Sequence, residues 1–237
     1  MITLSLGDIA EITGGVLVDA DPAVTVTGGV EFDSRAVGPG GLFVAFTGER
    51  VDGHDFADAA VAAGAVAVLG SRDTGRPGIV VADPLAALAR LARAVVDRLP
   101  QLTVIGLTAS SGKTTTKDLI GQLTARLGAT VAPPGSFNNE LGHPHTVLRA
   151  TADTRYLVLE LGARGPGHIR HLTEAAPPRI GLVLNVGAAH LGEFGSIEQT
   201  AAAKGELVEA LPAGGVAILN ADDPLVAAMA ARTAARV

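Results

Sequence analysis

Residues 103–116 read Thr103-Val104-Ile105-Gly106-Leu107-Thr108-Ala109-Ser110-Ser111-Gly112-Lys113-Thr114-Thr115-Thr116. An apolar run passes through a turn of small residues into Gly-Lys-Thr at the start of a helical pattern, the layout of a strand, a phosphate-cradling loop and a helix. Small side chains let successive backbone N–H groups converge on a phosphate. The helix N-terminus adds partial positive charge, Lys113 adds a full one, and Thr114 offers Mg2+ a hydroxyl. The strict form of this motif places a glycine five residues before Gly112, where the chain has Leu107, so the tripeptide needs support from its surroundings. Lysine usage gives some. Lys113, Lys117 and Lys204 are the only lysines among 18 basic residues, and a chain that otherwise relies on arginine keeps lysine where a compact ammonium or a nucleophilic amine is needed. Surviving surface lysines are the plainer alternative, above all at Lys117.

Working outward, all-apolar segments alternate with helical ones after Pro100: Thr103 to Thr108, Tyr156 to Leu161, Ile180 to Val186 and Val216 to Leu219. Strands without polar alternation belong to a sheet covered on both faces, hence a mostly parallel sheet sandwiched by helices. Before Pro100 the pattern is a smaller α/β one. A helix from Leu6 to Thr13 stops at Gly14-Gly15, strands cover Val24 to Val26 and Leu42 to Phe46, and a helix runs from Asp55 to Ala63. Strands at Ala65 to Leu69 and Ile79 to Val81 and a long Asp83-capped helix to Leu99 complete it. The expected organisation is α/β throughout, with a small N-terminal domain over residues 1–100 and a phosphate-loop domain over residues 101–237. The chain stops at Val237 within an Ala-rich pattern begun near Asp223-Pro224. Such a helix leads to another strand, so an incomplete domain is expected, with a natural C-terminal helix as the other reading.

Composition narrows the chemistry. The 237 residues are 48% hydrophobic, enough for a sizeable core, and the net charge is −6 without a basic cluster, which excludes nucleic acid as the main partner. An anionic ligand must therefore be met locally. There is no cysteine, so neither a disulfide nor a thiolate metal site exists. Aromatic residues make up 3%, with no tryptophan, so base stacking is not the mode of nucleotide recognition. The start Met1-Ile2-Thr3-Leu4 lacks a basic stretch and a long apolar core, and no apolar run is long enough to span a bilayer. A cytoplasmic protein without membrane insertion is the expectation.

Ligands of an open parallel sheet gather beyond the carboxyl ends of its strands. Here those ends are Ala109 to Thr115, Glu160 to Arg164 and Asn185 to His190. Glu160, inside the apolar Leu157-Val158-Leu159-Glu160-Leu161, is either a Mg2+ ligand beside the phosphate loop or a helix-capping or salt-bridged carboxylate. His190 is open between a second metal ligand and a substrate contact. Lys204 is open between neutralising a transferred phosphate and solvating a helix face. The remaining histidines, His54, His143, His145, His168 and His171, show no zinc-hydrolase spacing, and no Ser-His-Asp order stands out.

In order along the chain, six blocks resemble the Mur ligases. They are Asp33-Ser34-Arg35 with Gly40 to Val44, Asp52-Gly53-His54-Asp55-Phe56, Thr108 to Thr116, Ser136-Phe137-Asn138-Asn139-Glu140-Leu141-Gly142, Glu160-Leu161-Gly162-Ala163-Arg164, and Asn185 to Ser196. The Ser136 to Gly142 block favours the member that joins D-alanyl-D-alanine to UDP-N-acetylmuramoyl-tripeptide over the one that adds the third amino acid. The resemblance implies three domains, of which this chain holds the UDP-substrate domain and most of the ATP domain, while the third, ligase domain is absent. It implies an ATP- and Mg2+-dependent enzyme that activates a carboxylate as an acyl phosphate for attack by an amine, acting as a monomer, with this portion alone inactive. Carried over, Thr108, Ala109, Ser110, Ser111, Gly112, Lys113, Thr114 and Thr115 hold ATP. Thr114, Glu160, His190 and Lys204 form the metal site, Lys204 as a carbamate. Lys113, His190 and Lys204 serve catalysis, Asn138 and Asn139 face substrate or phosphates, and Ser34 and Arg35 lie near the UDP. Ala109 stands where the family has glycine, which is tolerable only at negative φ. A non-catalytic UDP-muramoyl-peptide binding module and an unrelated phosphate-loop kinase are the competing readings.

Overall fold

A computed structural model of the chain describes residues 1–133, 135–187 and 196–237. These divide into two compact units, one of Met1–Arg98 with Val147–Ala152 and one of Leu99–Thr146 with Asp153–Val237. Among the described residues no helix is long and apolar enough to cross a membrane.

In the first unit, β1 (Leu4–Ser5) pairs antiparallel with β3 (Thr25–Val26), apart from a five-stranded sheet. That sheet orders β2 (Val16–Val18), β7 (Gly78–Val80), β6 (Ala65–Gly70), β5 (Gly41–Val44) and β4 (Val30–Glu31), parallel except for β2 at its edge. All four residues of β5 are buried, as a run without polar alternation requires. Helix α1 covers Leu6–Thr13 and ends at Gly14 as the sequence indicates. The helix expected from Asp55 instead begins with a tight 3-10 turn at Gly53–Phe56, because the Asp52 side chain accepts from the His54 N–H; α2 (Ala57–Ala62) follows. His54 is buried, its Nε2 accepting from the Ser71 N–H at 2.8 Å and its Nδ1 against Asp52 at 2.5 Å, so this histidine ties the turn to the end of β6. Helix α3 (Pro84–Asp97) buries Leu88, Leu91 and Val95 and starts where Asp83 accepts from Leu85 N at 2.8 Å and Ala86 N at 3.1 Å.

In the second unit the sheet order is β12 (Val216–Leu219), β11 (Ile180–Val183), β8 (Thr103–Thr108), β10 (Tyr156–Glu160) and β9 (Thr130–Val131), every pair parallel. Both faces are covered. On one face Ile105, Leu107 and Val158 pack with Ile120 of α4 (Lys113–Thr124). The other face depends on two glycines. Gly106 of β8 lies in register with Gly181 of β11, and a Cβ on either would come within 3.4 Å of Leu207. The glycine pair thus lets Leu207 of a later helix seat directly on the backbone of the sheet.

Helix α5 (Gly142–Val147) precedes β10 in the chain. Helix α6 (His168–Ala175) opens at Gly167, which offers no side chain to cap it. Glu206 of α7 (Ile197–Glu209) supplies the missing acceptors, taking the Gly167 N–H at 2.6 Å and the Arg170 N–H at 3.0 Å. Strand β11 is shorter than the apolar run suggests, although the Leu184 N–H still donates to the Thr108 carbonyl at 3.2 Å and the Asn185 carbonyl accepts from the Ser110 N–H at 3.1 Å. The Ala-rich ending is one α-helical turn, α8 (Pro224–Ala227), and then a 3-10 turn at Ala228–Arg232, since Arg232 is drawn to Glu209 at 2.8 Å. Beyond it Arg236 bridges Val216 in parallel, alongside β12.

Asp83 satisfies two otherwise unpaired helix donors, so Asp83→Ala is expected to lower stability by about 1 kcal/mol. Urea denaturation checks this as a lower midpoint at unchanged slope.

Candidate active site

In the second sheet β8 is flanked by β10 on one side and β11 on the other, so the loops leaving its carboxyl edge diverge and open a crevice there. The loop after β8 reaches α4 through Gly112, at φ +81°, a left-handed conformation that strains any other residue even though open space surrounds the position. No side chain caps the N-terminus of α4, so its first-turn N–H groups are presented at the mouth of the loop. Lys113 Nζ arches back to the Ala109 carbonyl at 2.9 Å. Asp19 is the one non-glycine residue at positive φ among those described, so Ala109 carries its Cβ without left-handed strain.

Two cavities share Lys113 and Asn138. The first, about 370 Å3, is lined by the loop residues Ser110 to Thr115 with Ser136, Asn138 and Glu160. Glu160 ends β10 and is 1% exposed. Its Oε2 accepts from Thr114 Oγ1 at 2.9 Å, and its Oε1 accepts from Ser136 Oγ at 2.7 Å and Asn138 Nδ2 at 2.8 Å. All three donors are neutral. Glu160 is therefore neither a helix cap nor half of an ion pair among the described residues, but a buried carboxylate beside a phosphate-type loop whose charge is met by dipoles alone.

The second cavity, about 390 Å3, reaches from Ala109 and Lys113 past Asn138, Asn139 and Gly162 to Arg164, His168 and Lys204. Lys204, 4% exposed on α7, has its amine pulled down to about 8, first by burial and then by the charge of Lys113. It does not solvate a helix face. The His168 imidazole is paired with Glu140 and accepts at Nδ1 from the Arg164 N–H at 3.2 Å. The cationic groups on this wall suit an anion, and the depressed amine of Lys204 suits reaction with a small electrophile.

The other sequence-derived residues fall differently. Thr108 is fully buried and donates to the Leu161 carbonyl at 2.9 Å, so its hydroxyl belongs to the interior. Asn139 accepts from the Gly142 N–H at 2.8 Å and lines the second cavity. Ser34 and Arg35 lie in the first unit, where Arg35 forks onto Asp33 at 2.9 and 2.7 Å and holds that carboxyl down to about 2. His190 lies outside the described residues. Three contributors escaped the sequence reading as site residues. Ser136 sits two positions before Asn138, a spacing that could have flagged it. Asn185 accepts at Oδ1 from the Ser110 and Ser111 N–H groups, each at 3.1 Å. His168 meets Glu140 only through the fold, and no sequence signal anticipates that pair.

Among the described residues no cluster of three or more His, Asp or Glu side chains could hold a metal ion. Mg2+ does not need one, because it keeps waters and takes phosphate oxygens beside one or two protein ligands. The Thr114 hydroxyl and Glu160 carboxylate, side by side and otherwise paired only with neutral groups, fit that donor set.

Lys204 holds its proton less tightly when folded than in the unfolded chain, so the buried ammonium costs stability in full below pH 8, and this cost disappears as the pH rises to the free value of 10.5. Lys204→Met is expected to raise Tm at neutral pH, with the gain fading across that window. Thermal melts over the same pH range check it.

Comparison with known proteins gives the same reading over the whole length. Residues 107–237 match the model of the Mur ligase middle domain, and residues 27–96 that of the Mur ligase family catalytic domain. The UDP-N-acetylmuramoyl-tripeptide--D-alanyl-D-alanine ligase of Mycobacterium tuberculosis is 57% identical, the alignment covering 100% of this chain and 52% of the relative. The Escherichia coli protein of that name is 43% identical over 94% of this chain and 49% of its own length. A crystal structure of MurF from Acinetobacter baumannii superposes with a TM-score of 0.88 at 35% identity, covering 97% of this chain and 51% of that one. MurF from Thermotoga maritima in complex with ADP gives 0.75 at 38% identity, over 84% and 47%. The chain thus spans about half the length of the curated relatives it matches, and over that span, in its two matched domains and its parallel-sheet core, it belongs to the Mur ligase family.

Proposed function

We propose that this chain is the substrate- and nucleotide-binding part of an ATP-dependent ligase joining D-alanyl-D-alanine to UDP-N-acetylmuramoyl-tripeptide in peptidoglycan precursor synthesis. The observation that carries the reading is the convergence of Thr114, Ser136 and Asn138 on the buried Glu160 beside an uncapped, lysine-bearing phosphate loop. A carboxylate is a poor electrophile. ATP with Mg2+ supplies a phosphoryl group that makes it an acyl phosphate, which the amine of the dipeptide attacks with loss of phosphate.

The chain's own residues divide this work. The N–H groups from Gly112 to Thr115 bind phosphate oxygens, with Ser110 and Ser111 lining the same cavity while Asn185 holds their N–H groups, and Lys113, shared by the two cavities, spans the site between nucleotide and acceptor. Thr114 and Glu160 would hold Mg2+. Asn138 and Asn139 orient the acceptor carboxylate in the second cavity. Lys204, whose amine is drawn down to about 8, would react in its neutral form with CO2 to give a carbamate and release a proton, and the carbamate oxygens would hold a metal together with His190. The first unit, with Ser34 and Arg35, is the UDP-substrate domain. In this reading the protein works in the cytoplasm, as a monomer.

The test is calorimetric titration of the 237-residue chain with UDP-N-acetylmuramoyl-tripeptide and with a non-hydrolysable ATP analogue, each with Mg2+. Binding of both, with Lys113→Ala losing the nucleotide and keeping the UDP compound, is the expected result. A folded chain that binds neither overturns the assignment, and one that binds only the UDP compound reduces it to a substrate-binding module. Carbamylation has its own readout. With 13C-bicarbonate the chain is expected to show one carbamate resonance, absent from Lys204→Ala.

A further inference from the structure

Two of the three lysines border the cavities. Lys117 does not. It lies four residues after Lys113 on α4, its side chain fully buried, and its ammonium donates to the carbonyls of Pro133 and, at 2.6 Å, of Gly135, with Asp118 Oδ1 at 3.1 Å. A cation with no exposed surface persists only where its hydrogen bonds are complete, and lysine completes them here from one tetrahedral nitrogen. Both carbonyls belong to the turn that delivers Ser136. Gly135 bends the chain at φ +69°, Ser136 Oγ then donates to Glu160, and Asn138 Nδ2 donates to both Glu160 and Ser136 Oγ.

We propose that Lys117 is a positioning residue for the metal-binding carboxylate. It fastens the helix that carries Thr114 to the turn that carries Ser136 and Asn138, so that donors from two separate elements close on the same two oxygens of Glu160. The inference rests on the reading of Glu160 as the Mg2+ ligand. Lysine is required because the two carbonyls and Asp118 surround a single point. A planar guanidinium has neither the space nor the directions to meet them, and an uncharged side chain leaves two inward-facing carbonyls unpaired.

The experiment compares Lys117→Met and Lys117→Arg with the unchanged 237-residue chain by two readouts. The first needs no ligand. The Asn138 side-chain amide donates to Ser136 Oγ and Glu160 Oε1, so its two proton resonances are displaced from those of a free asparagine side chain, and in both variants they are expected to move to the free positions while the amide signals of β8 and β10 stay in place. The second is calorimetric affinity for a non-hydrolysable ATP analogue with and without Mg2+. The Mg2+-dependent affinity is expected to fall by about tenfold or more, as when a group supporting a metal ligand is removed, while the metal-free affinity stays within about twofold. Unchanged Asn138 resonances overturn the proposal, as does their move to the free positions with undiminished Mg2+ dependence. Parallel loss of metal-dependent and metal-free affinity also overturns it, because that marks general damage to the unit. Should Lys117→Met not fold, Lys117→Gln, which keeps a neutral donor nitrogen, is held to the same outcomes. An unchanged chain that takes up no Mg2+-nucleotide overturns the reading of the site itself, a result distinct from a variant that behaves as the unchanged chain does.

Discussion

A buried carboxylate met, among the described residues, by neutral donors is the constraint around which the second unit is arranged. Taking an unpaired charge out of water costs several kcal/mol even after the surroundings relax, and Glu160, at the end of a strand buried from Leu157 onward, meets that cost among the described residues with hydroxyl and amide dipoles. Those dipoles come from α4 and from the turn before α5, elements far apart in sequence. The depth of Glu160 therefore dictates where the helix after the phosphate loop starts and where the 135–138 segment must lie. In the proposed reading the same deficit of positive charge is what makes the position a metal ligand.

The opposite imbalance lies across Lys113. On the wall of the second cavity Lys204 and Arg164 join it, with His168 paired to Glu140. Burial and the neighbouring Lys113 charge together pull the Lys204 amine toward neutrality. In the proposed reading, a carboxylate met by neutral donors on one side and a set of cations on the other complement a metal nucleotide with an acidic acceptor. The site's rigidity comes from elsewhere in the unit: Glu206 caps α6, Asn185 braces the loop, and the Gly106–Gly181 pair seats α7 against the sheet.

Much of this was legible in residue order. Buried strands announce themselves as apolar runs, because a strand covered on both faces has no polar side to show, and β8 and β12 begin and end where the pattern does. Asp83 and Asp223 cap the helices that follow them, since the cap is a contact over two or three residues. The misreadings share one cause. The turn at Gly53–Phe56 and the broken helix at Ala228–Arg232 are each set by a side chain reaching a distant or overlooked partner: Asp52 on the His54 backbone, Arg232 on Glu209.

The sequence by itself determined the fold class, the strand-turn-helix unit at Thr103 to Thr124 and the family, because these rest on local spacing and on blocks of adjacent residues. Only the tertiary structure decided what the charged residues do. Glu160 could have been a cap or an ion pair, Lys117 a surface remnant, Lys204 a solvated helix residue and Thr108 a ligand contact. Whether an ionisable group is buried, and which donors meet it there, depends on elements tens of residues apart being brought together, and no local pattern encodes that.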